Sequence, residues 1–497
     1  RDFCLSRGLG DVYKRQNKMS NLNFFRVLQS GGVNEVPTQK YYTINTLQST
    51  NTISPFWSTP LPTNINWTTT GGLISSGTGN IIPMTGNTGD AFITMYGDAT
   101  STTSIRQHSN ELTAIDVTNL TSDLGYLNIY NNDISTLDIS SNTSLIILDS
   151  NYNQLTSLDV SNNTALTHLD CSYNQLTSID VSNNTLLYQL NVYSNALTSL
   201  DVSNQPDLEI LTVGINNLTT LDCSDNNLLR TLNIRDNPNL TSYDVTSVTT
   251  LTNIVGGECS SLSSIDISDN INLTYLNHQY CNLSSIDISN NTALEFISVT
   301  NNSLTSIDVS NNTALLSLNC SDNSLTSLDV DSNTALELLN CQGNSITSLD
   351  VSNNTSLEDL FCGYTSLTSI DVSNNTALTA LGISNTVISS ININVNTSLT
   401  YLSVTSTSVT SLNISNNTSL RELYMQNNSF TSIDISNNPL IFKLSCEINN
   451  LTTTAIDDIF SDLAAGSVSN GVLRIDVGRS IPGLSLIHIS EPTRQAE

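Results

Sequence analysis

Cysteine is the residue of this 497-residue chain with the most obvious capacity for chemistry, and most of its nine copies fall on a grid. Cys320, Cys341 and Cys362 are spaced 21 apart, and Cys171 and Cys446 share their column with Val192, Val213, Ile234, Val299 and Met425. A thiol that alternates with Val and Ile is a small buried hydrophobe. Cys223 replaces Val in the matching column of a second grid. Successive turns would bring Cys320, Cys341 and Cys362 within the Cα range of a disulfide, but side chains pointing inward in parallel rarely offer the torsion that the bond requires. Cys259 and Cys281 stand where Asn is the rule, and His278 lies in the inward column beside Cys281. Two thiols and an imidazole would suit a soft metal, yet a closed site of that type uses four ligands. Cys is also the usual substitute for Asn at this position, so the sequence assigns no metal and no cofactor.

Carboxylates form a second column: Asp116, Asp138, Asp159, Asp180, Asp201, Asp222, Asp244, Asp266, Asp287, Asp308, Asp329, Asp350 and Asp371, then Asn392, Asn413 and Asp434. Stacked at about 4.8 Å, neighbouring charges would repel by roughly 1 kcal/mol per pair even in water. Two arrangements offset that repulsion. Each Asp can accept hydrogen bonds from nearby Ser, Thr or backbone donors, or the column can associate weakly with Ca²⁺, which takes hard oxygen ligands.

Aromatic residues mark a third set of positions. Tyr126, Tyr130, Tyr193, Tyr275, Phe296, Phe361, Tyr401 and Tyr424 occupy outward positions of a variable segment, among Asn and Gln, where the companion segment reads a monotonous Ser, Asp, Ser. Exposed aromatics on a rigid surface suit recognition of a protein or carbohydrate ligand. As β-formers they could equally stack between turns. Catalysis has no comparable signal. Only four His are present, and neither G-x-S-x-G, H-E-x-x-H nor a Gly-rich phosphate loop occurs. The chain reads as non-enzymatic.

The element that positions these columns is a repeat, L-x-x-L-x-C-x-x-N-x-L-T-S-L-D-V-S-N-N-T-A, whose sixteen anchors run from Leu124 to Ile441. Spacing is 21 except for 22 from Leu229 to Leu251 and from Leu251 to Leu273. The unit is itself double: LTHLDCSYNQ and LTSIDVSNNT each place apolar residues at relative positions 0, 3 and 5. Leu166, Leu169 and Cys171 then point inward from one side, and Leu176, Ile179 and Val181 from the other. With no room for a helix, the expected fold is mainly β, a parallel solenoid with short parallel strands on both sides. A single coil buries too few apolar side chains to offset the entropy of ordering its backbone, so the coils must stack.

The motif L-x-x-L-x-[L/C]-x-x-N-x-L is that of leucine-rich repeats, and the 21-residue nested form with Cys at its sixth position resembles the repeats of the internalins, a family of bacterial surface proteins. That resemblance spans about residues 112–451. It implies a recognition or adhesion module at the cell surface or outside the cell; a structural rod or virion appendage without a specific small ligand is the alternative, since repeat class alone names no ligand.

A net charge of −29 argues against nucleic acid or an anionic membrane surface as partner. No apolar run is long enough for membrane insertion, and the chain reads as a monomer. Residues 1–16 and 485–497 resemble translated sequencing-adapter read-through, and the stretch from Met19 makes a poor signal peptide because Arg26 interrupts its apolar run. Between them the sequence divides into a small β-rich N-terminal capping domain at 17–110, the solenoid at 111–451, and a C-terminal cap at 452–484. In that cap Ile456, Ile459, Phe460 and Leu463 recur at helical spacing.

Overall fold

The computed structural model describes the backbone of residues 52–53, 65–70, 77–78, 82–83, 91–97, 104–106, 112–118, 124–465 and 474–476, and the side chains of 113–118 and 124–463. Residues 1–16 and 485–497, expected to be read-through, and the stretch from Met19 to Thr50 lie outside the described residues.

The variable half of each coil supplies one three-residue strand, and these strands form a parallel ribbon running from Ser104–Arg106 and Tyr126–Asn128 to Lys443–Ser445 and Arg474–Asp476. Register is strict: His168 pairs with Gln189, Leu169 with Leu190, Asp170 with Asn191, and every later step repeats the pattern. The central residue of each strand is buried because alternate side chains take opposite faces. Leu127, Leu148, Leu169 and Leu190 thereby stack in one continuous core with the Cys/Val column and the inward residues of the other half.

An Asn closes most strands, with Cys259, Cys281, Thr365, Thr386 and Thr407 in its place on five coils. Asn344 donates through Nδ2 to Cys320 O of the preceding coil and Cys341 O of its own, both at 3.0 Å, while its Oδ1 accepts Leu325 N at 2.9 Å. One side chain thus satisfies three backbone groups that the turn would otherwise bury unpaired. A second Asn column, in the turn before the next coil, donates in the same manner, as from Asn354 to Val330 O and Asn333 O. Its acceptor is left over: Oδ1 of Asn354 and of the equivalent residues has no partner.

Strands occur on both sides of the solenoid, but unequally. In the constant half Thr220–Asp222 pairs with Ser242–Asp244, and Leu112–Asp116 pairs in parallel with Ala91–Gly97, which in turn pairs antiparallel with Ile65–Thr70. The remaining constant halves, among the described residues, carry no regular strand. Side chains tie the turns there, including Asn183 to Ser161 O and Asn374 to Ser352 O. At the far end the helix Thr453–Ala465 forms where the apolar spacing places it. Thr452 Oγ1 caps it by accepting Ala455 N at 3.1 Å, and Ala455, Ile456, Ile459 and Leu463 are buried.

Candidate recognition face

The eight aromatic residues singled out by the sequence all lie on the ribbon side, and all are half-buried rather than fully exposed. They gather into separate groups instead of one patch. Tyr126 and Tyr130 share the first coil, where Asn128 Nδ2 donates to the Tyr126 hydroxyl at 3.2 Å. Tyr193 tilts against Tyr173 with ring centroids 5.5 Å apart. Tyr275 and Phe296 stack at 4.4 Å, nearly coplanar. Phe361, Tyr401 and Tyr424 form a fourth group, with centroids 6.3 and 5.4 Å apart. Stacking follows from the register, which sets side chains on neighbouring strands about 4.8 Å apart. Two glycines admit the rings: a Cβ at Gly382 would meet Phe361 at 2.8 Å, and one at Gly214 would meet Tyr193 at 2.7 Å.

Sequence reasoning missed a further set of tyrosines. Tyr152, Tyr173, Tyr280 and Tyr364 sit one residue before the Asn column, at 50, 38, 38 and 45 % exposure. Their backbone is left-handed, with φ between 51° and 54°, because every coil turns at this position. Gly343 occupies the equivalent place in its own coil. A bulky residue in this region carries a cost of order 1 kcal/mol that Gly or Asn avoids. Tyr152 and Tyr173 stack at 4.0 Å and form an exposed ledge. The signal was present in the motif, as Tyr in place of the polar residue before Asn153 and Asn174, but only the turn conformation shows where the rings point.

Acidic groups accompany the aromatics. Beside Tyr424, Glu422 accepts the phenol at 2.7 Å, and Lys443 Nζ lies 4.7 Å over the ring and 3.7 Å from Glu422. Arg235, next to Tyr193, pairs with Glu258 at 2.8 Å, and Arg230 pairs with Glu209 at 2.9 Å near Tyr188. Asp149 and Asp170, on adjacent strands below the Tyr152/Tyr173 ledge, pair with no basic side chain among the described residues. Carboxamides hold them: Asn128 donates to Asp149, and Asn151 and Asn191 donate to Asp170. Burial and the facing Asp170 push the Asp149 carboxyl up to about 6.

The constant half resolves the question posed by its Asp column. Each Oδ1 turns back on its own chain and accepts the backbone N–H two residues on, often with that residue's hydroxyl, as in Asp138 with Ser140 at 3.0 and 2.6 Å. These hydrogen bonds hold the carboxyl groups of Asp138, Asp287 and Asp434 below their ordinary range, and where a neighbouring Asp acts, as Asp159 does on Asp138, its effect is the smallest of those present. The carboxylates do not converge, and among the described residues no group of three or more His, Cys, Asp or Glu is arranged to hold a metal ion. The inward cysteines Cys171, Cys320, Cys341, Cys362 and Cys446 are buried, and burial drives the thiols of Cys320, Cys341 and Cys362 up. No described helix is long and apolar enough to cross a membrane.

Solved structures match this arrangement, although no protein-family model and no curated protein sequence does. The LRR protein LIC12759 of Leptospira interrogans is 21% identical, with 72% of this chain covering 90% of that one at a TM-score of 0.57. The plant peptide hormone receptor RGFR1, in complex with RGF2, is likewise 21% identical, with coverage of 70% and 63% and a TM-score of 0.59. Both share the fold. The functional domain of InlJ from Listeria monocytogenes, which includes a cysteine ladder, is 31% identical over 73% of this chain and 72% of that one, at a TM-score of 0.57. With that identity, that coverage, the nested repeat of 21 residues and the inward cysteine column, the chain belongs to the internalin-type leucine-rich-repeat proteins.

Proposed function

We propose that this chain is a non-enzymatic recognition module, at the cell surface or secreted, which binds a protein ligand through the ribbon side of its solenoid. The observation that carries the reading is the Tyr152/Tyr173 ledge: two bulky rings held in solvent on backbone positions that favour Gly or Asn. Tyr126, Tyr130 and Tyr193 flank it, and Tyr275, Phe296, Phe361, Tyr401 and Tyr424 extend the face along the ribbon. Tyrosine supplies large contact area at low side-chain entropy cost.

Charge favours a protein among ligands. Three acidic groups on this face already hold an Arg or Lys of a neighbouring coil. The Asp149/Asp170 pair offers the same chemistry to a basic side chain of the partner, with Tyr faces beside it for cation–π contact. Panning a yeast-displayed library of extracellular proteins on the immobilised full chain tests the reading. Enriched binders should be lost on a chain carrying Tyr152→Ser, Tyr173→Ser, Tyr401→Ser and Tyr424→Ser. A library that yields no binder, or binders indifferent to these changes, contradicts it.

A further inference from the structure

The Asn column that ties most coils to the preceding one is interrupted by Thr365, Thr386 and Thr407 and, at two successive coils, by Cys259 and Cys281. Cys259 Sγ approaches Ile234 O of the preceding coil at 3.4 Å, and Cys281 Sγ approaches Gly256 O at 3.3 Å, so each thiol reaches for a carbonyl that Asn Nδ2 bonds elsewhere. The acceptor role has no substitute. Leu240 N and Leu262 N, which stand where Leu325 N donates to Asn344 Oδ1, bond instead within their own turns, to Asn237 O and Cys259 O. The seam is unusual inside as well. Tyr243 donates to or accepts from His278 Nε2 at 3.0 Å across the intervening coil, where Gly256 leaves the space; a Cβ there would lie only 2.4 Å from Nε2. Across this seam, weak thiol donors thus stand in for the Asn Nδ2 link between coils.

Register puts the two thiols in direct opposition. Asn253, Ile254 and Val255 pair with Tyr275, Leu276 and Asn277, and Glu258 N bonds to Gln279 O, an alignment that sets Cys259 opposite Cys281. Neighbouring parallel strands lie about 4.8 Å apart, inside the Cα window of about 4.4–6.8 Å for a disulfide. Cys281 is the one described cysteine that is not buried.

We propose that Cys259 and Cys281 are a redox-active pair, open to thiol–disulfide exchange with a small disulfide of the glutathione class, whose product is a covalent rung replacing the missing Asn link. Cys281 reacts first. Solvent reaches Cys281, whereas Cys259 is fully buried. The Cys281 thiolate, its proton lost to water, attacks one sulfur of the oxidant; a mixed disulfide forms, the oxidant's S–S bond breaks, and one small thiolate leaves. Cys259 then releases its proton and attacks Cys281 Sγ, which forms the Cys259–Cys281 bond and expels the second small thiolate. Two electrons pass from the protein to the oxidant, which departs as two thiols after taking up the two protons. The inward cysteines stay out of this exchange because oxidant does not reach them.

The test uses the full native chain, incubated with oxidised glutathione, then denatured, alkylated and mapped by mass spectrometry. A linked peptide pair joining Cys259 to Cys281 is expected before any other, together with a rise in the urea unfolding midpoint that reductant reverses. Both thiols recovered as alkylated peptides, or a Cys320–Cys341 link formed first, overturn the proposal. The Cys259→Ser chain should stop at one glutathione on Cys281, and its failure to do so while folded would equally overturn the order of steps. Should that variant not fold, the parent map decides alone.

Discussion

The two halves of one coil start from nearly the same ten-residue sentence and diverge in what their outward side chains do. In the constant half each outward Asp turns onto the residue two ahead, while Asn side chains tie the turns. In the variable half the strand is regular, polar residues of the strand bridge neighbouring coils, and the tyrosines at the turn are exposed. A repeated fold can therefore assign stability to the Asn and Leu columns, which recur on most coils, and leave to one face the positions that no coil needs.

The largest expected effect lies in the shared scaffold. Asn344→Ala removes three backbone partners in a buried turn and should cost about 2–4 kcal/mol in urea unfolding. Asn354→Ala should cost less, because Oδ1 of that residue accepts nothing. Equal losses would show that the two Asn columns are equivalent and that the unpaired acceptor has a partner.

Acid should act next, through the seam at Gly256. Burial lowers the His278 pKa from 6.5 to about 3. The unfolded chain then binds the proton first, so the contribution is intact above pH 6.5 and is lost as pH falls toward 3. Stability at pH 5 should be about 2 kcal/mol lower than at pH 7 from this group, and the extra loss should vanish in His278→Gln, measured against the parent across that range. Asp149 works in the opposite sense. With its folded pKa raised from 3.8 to about 6, the folded state is favoured below 3.8 and penalised as pH rises through 6. Asp149→Asn should gain roughly 1–2 kcal/mol at pH 7 and almost nothing at pH 3.5.

Much of this comparison was legible in the sequence. The spacing gave the solenoid, its inward columns and the terminal helix, because burial imposes period and side-chain type together. The aromatic face was legible only in outline. Residues that look outward in a strand alternation lie over glycines of the next coil, as Phe361 does over Gly382, and rings 21 residues apart stack on each other. Sequence reading alone predicts that Tyr401→Ser with Tyr424→Ser leaves unfolding unchanged; the stacked rings and Lys443 revise that to a loss of about 1 kcal/mol. The tyrosines of the turn escaped notice because a left-handed backbone, not alternation, sets their direction. The constant half deceived in another way: its pattern matches that of the ribbon, yet regular pairing there is local.

The smallest effect should come from the Asp column. Asn392 and Asn413 already accept the backbone N–H two residues on, at 3.2 and 3.1 Å, without a hydroxyl. Asp308→Asn with Asp329→Asn and Asp350→Asn should lower the melting temperature slightly, and CaCl₂ should do no more than NaCl at matched ionic strength. A Ca²⁺-specific rise would restore the cation ladder.

The division of labour between the halves is tested most directly by affinity. A protein ligand selected on the full chain is titrated by biolayer interferometry against two double variants on the same pair of coils, Tyr152→Ser/Tyr173→Ser in the variable half and Ser161→Ala/Ser182→Ala in the constant half, with urea unfolding measured beside each. The account predicts a Kd raised at least about tenfold by the tyrosine changes, equivalent to about 1.4 kcal/mol, and unaltered by the serine changes, with both variants folded. Affinity lost equally in the two variants, or lost only with the serines, would contradict it.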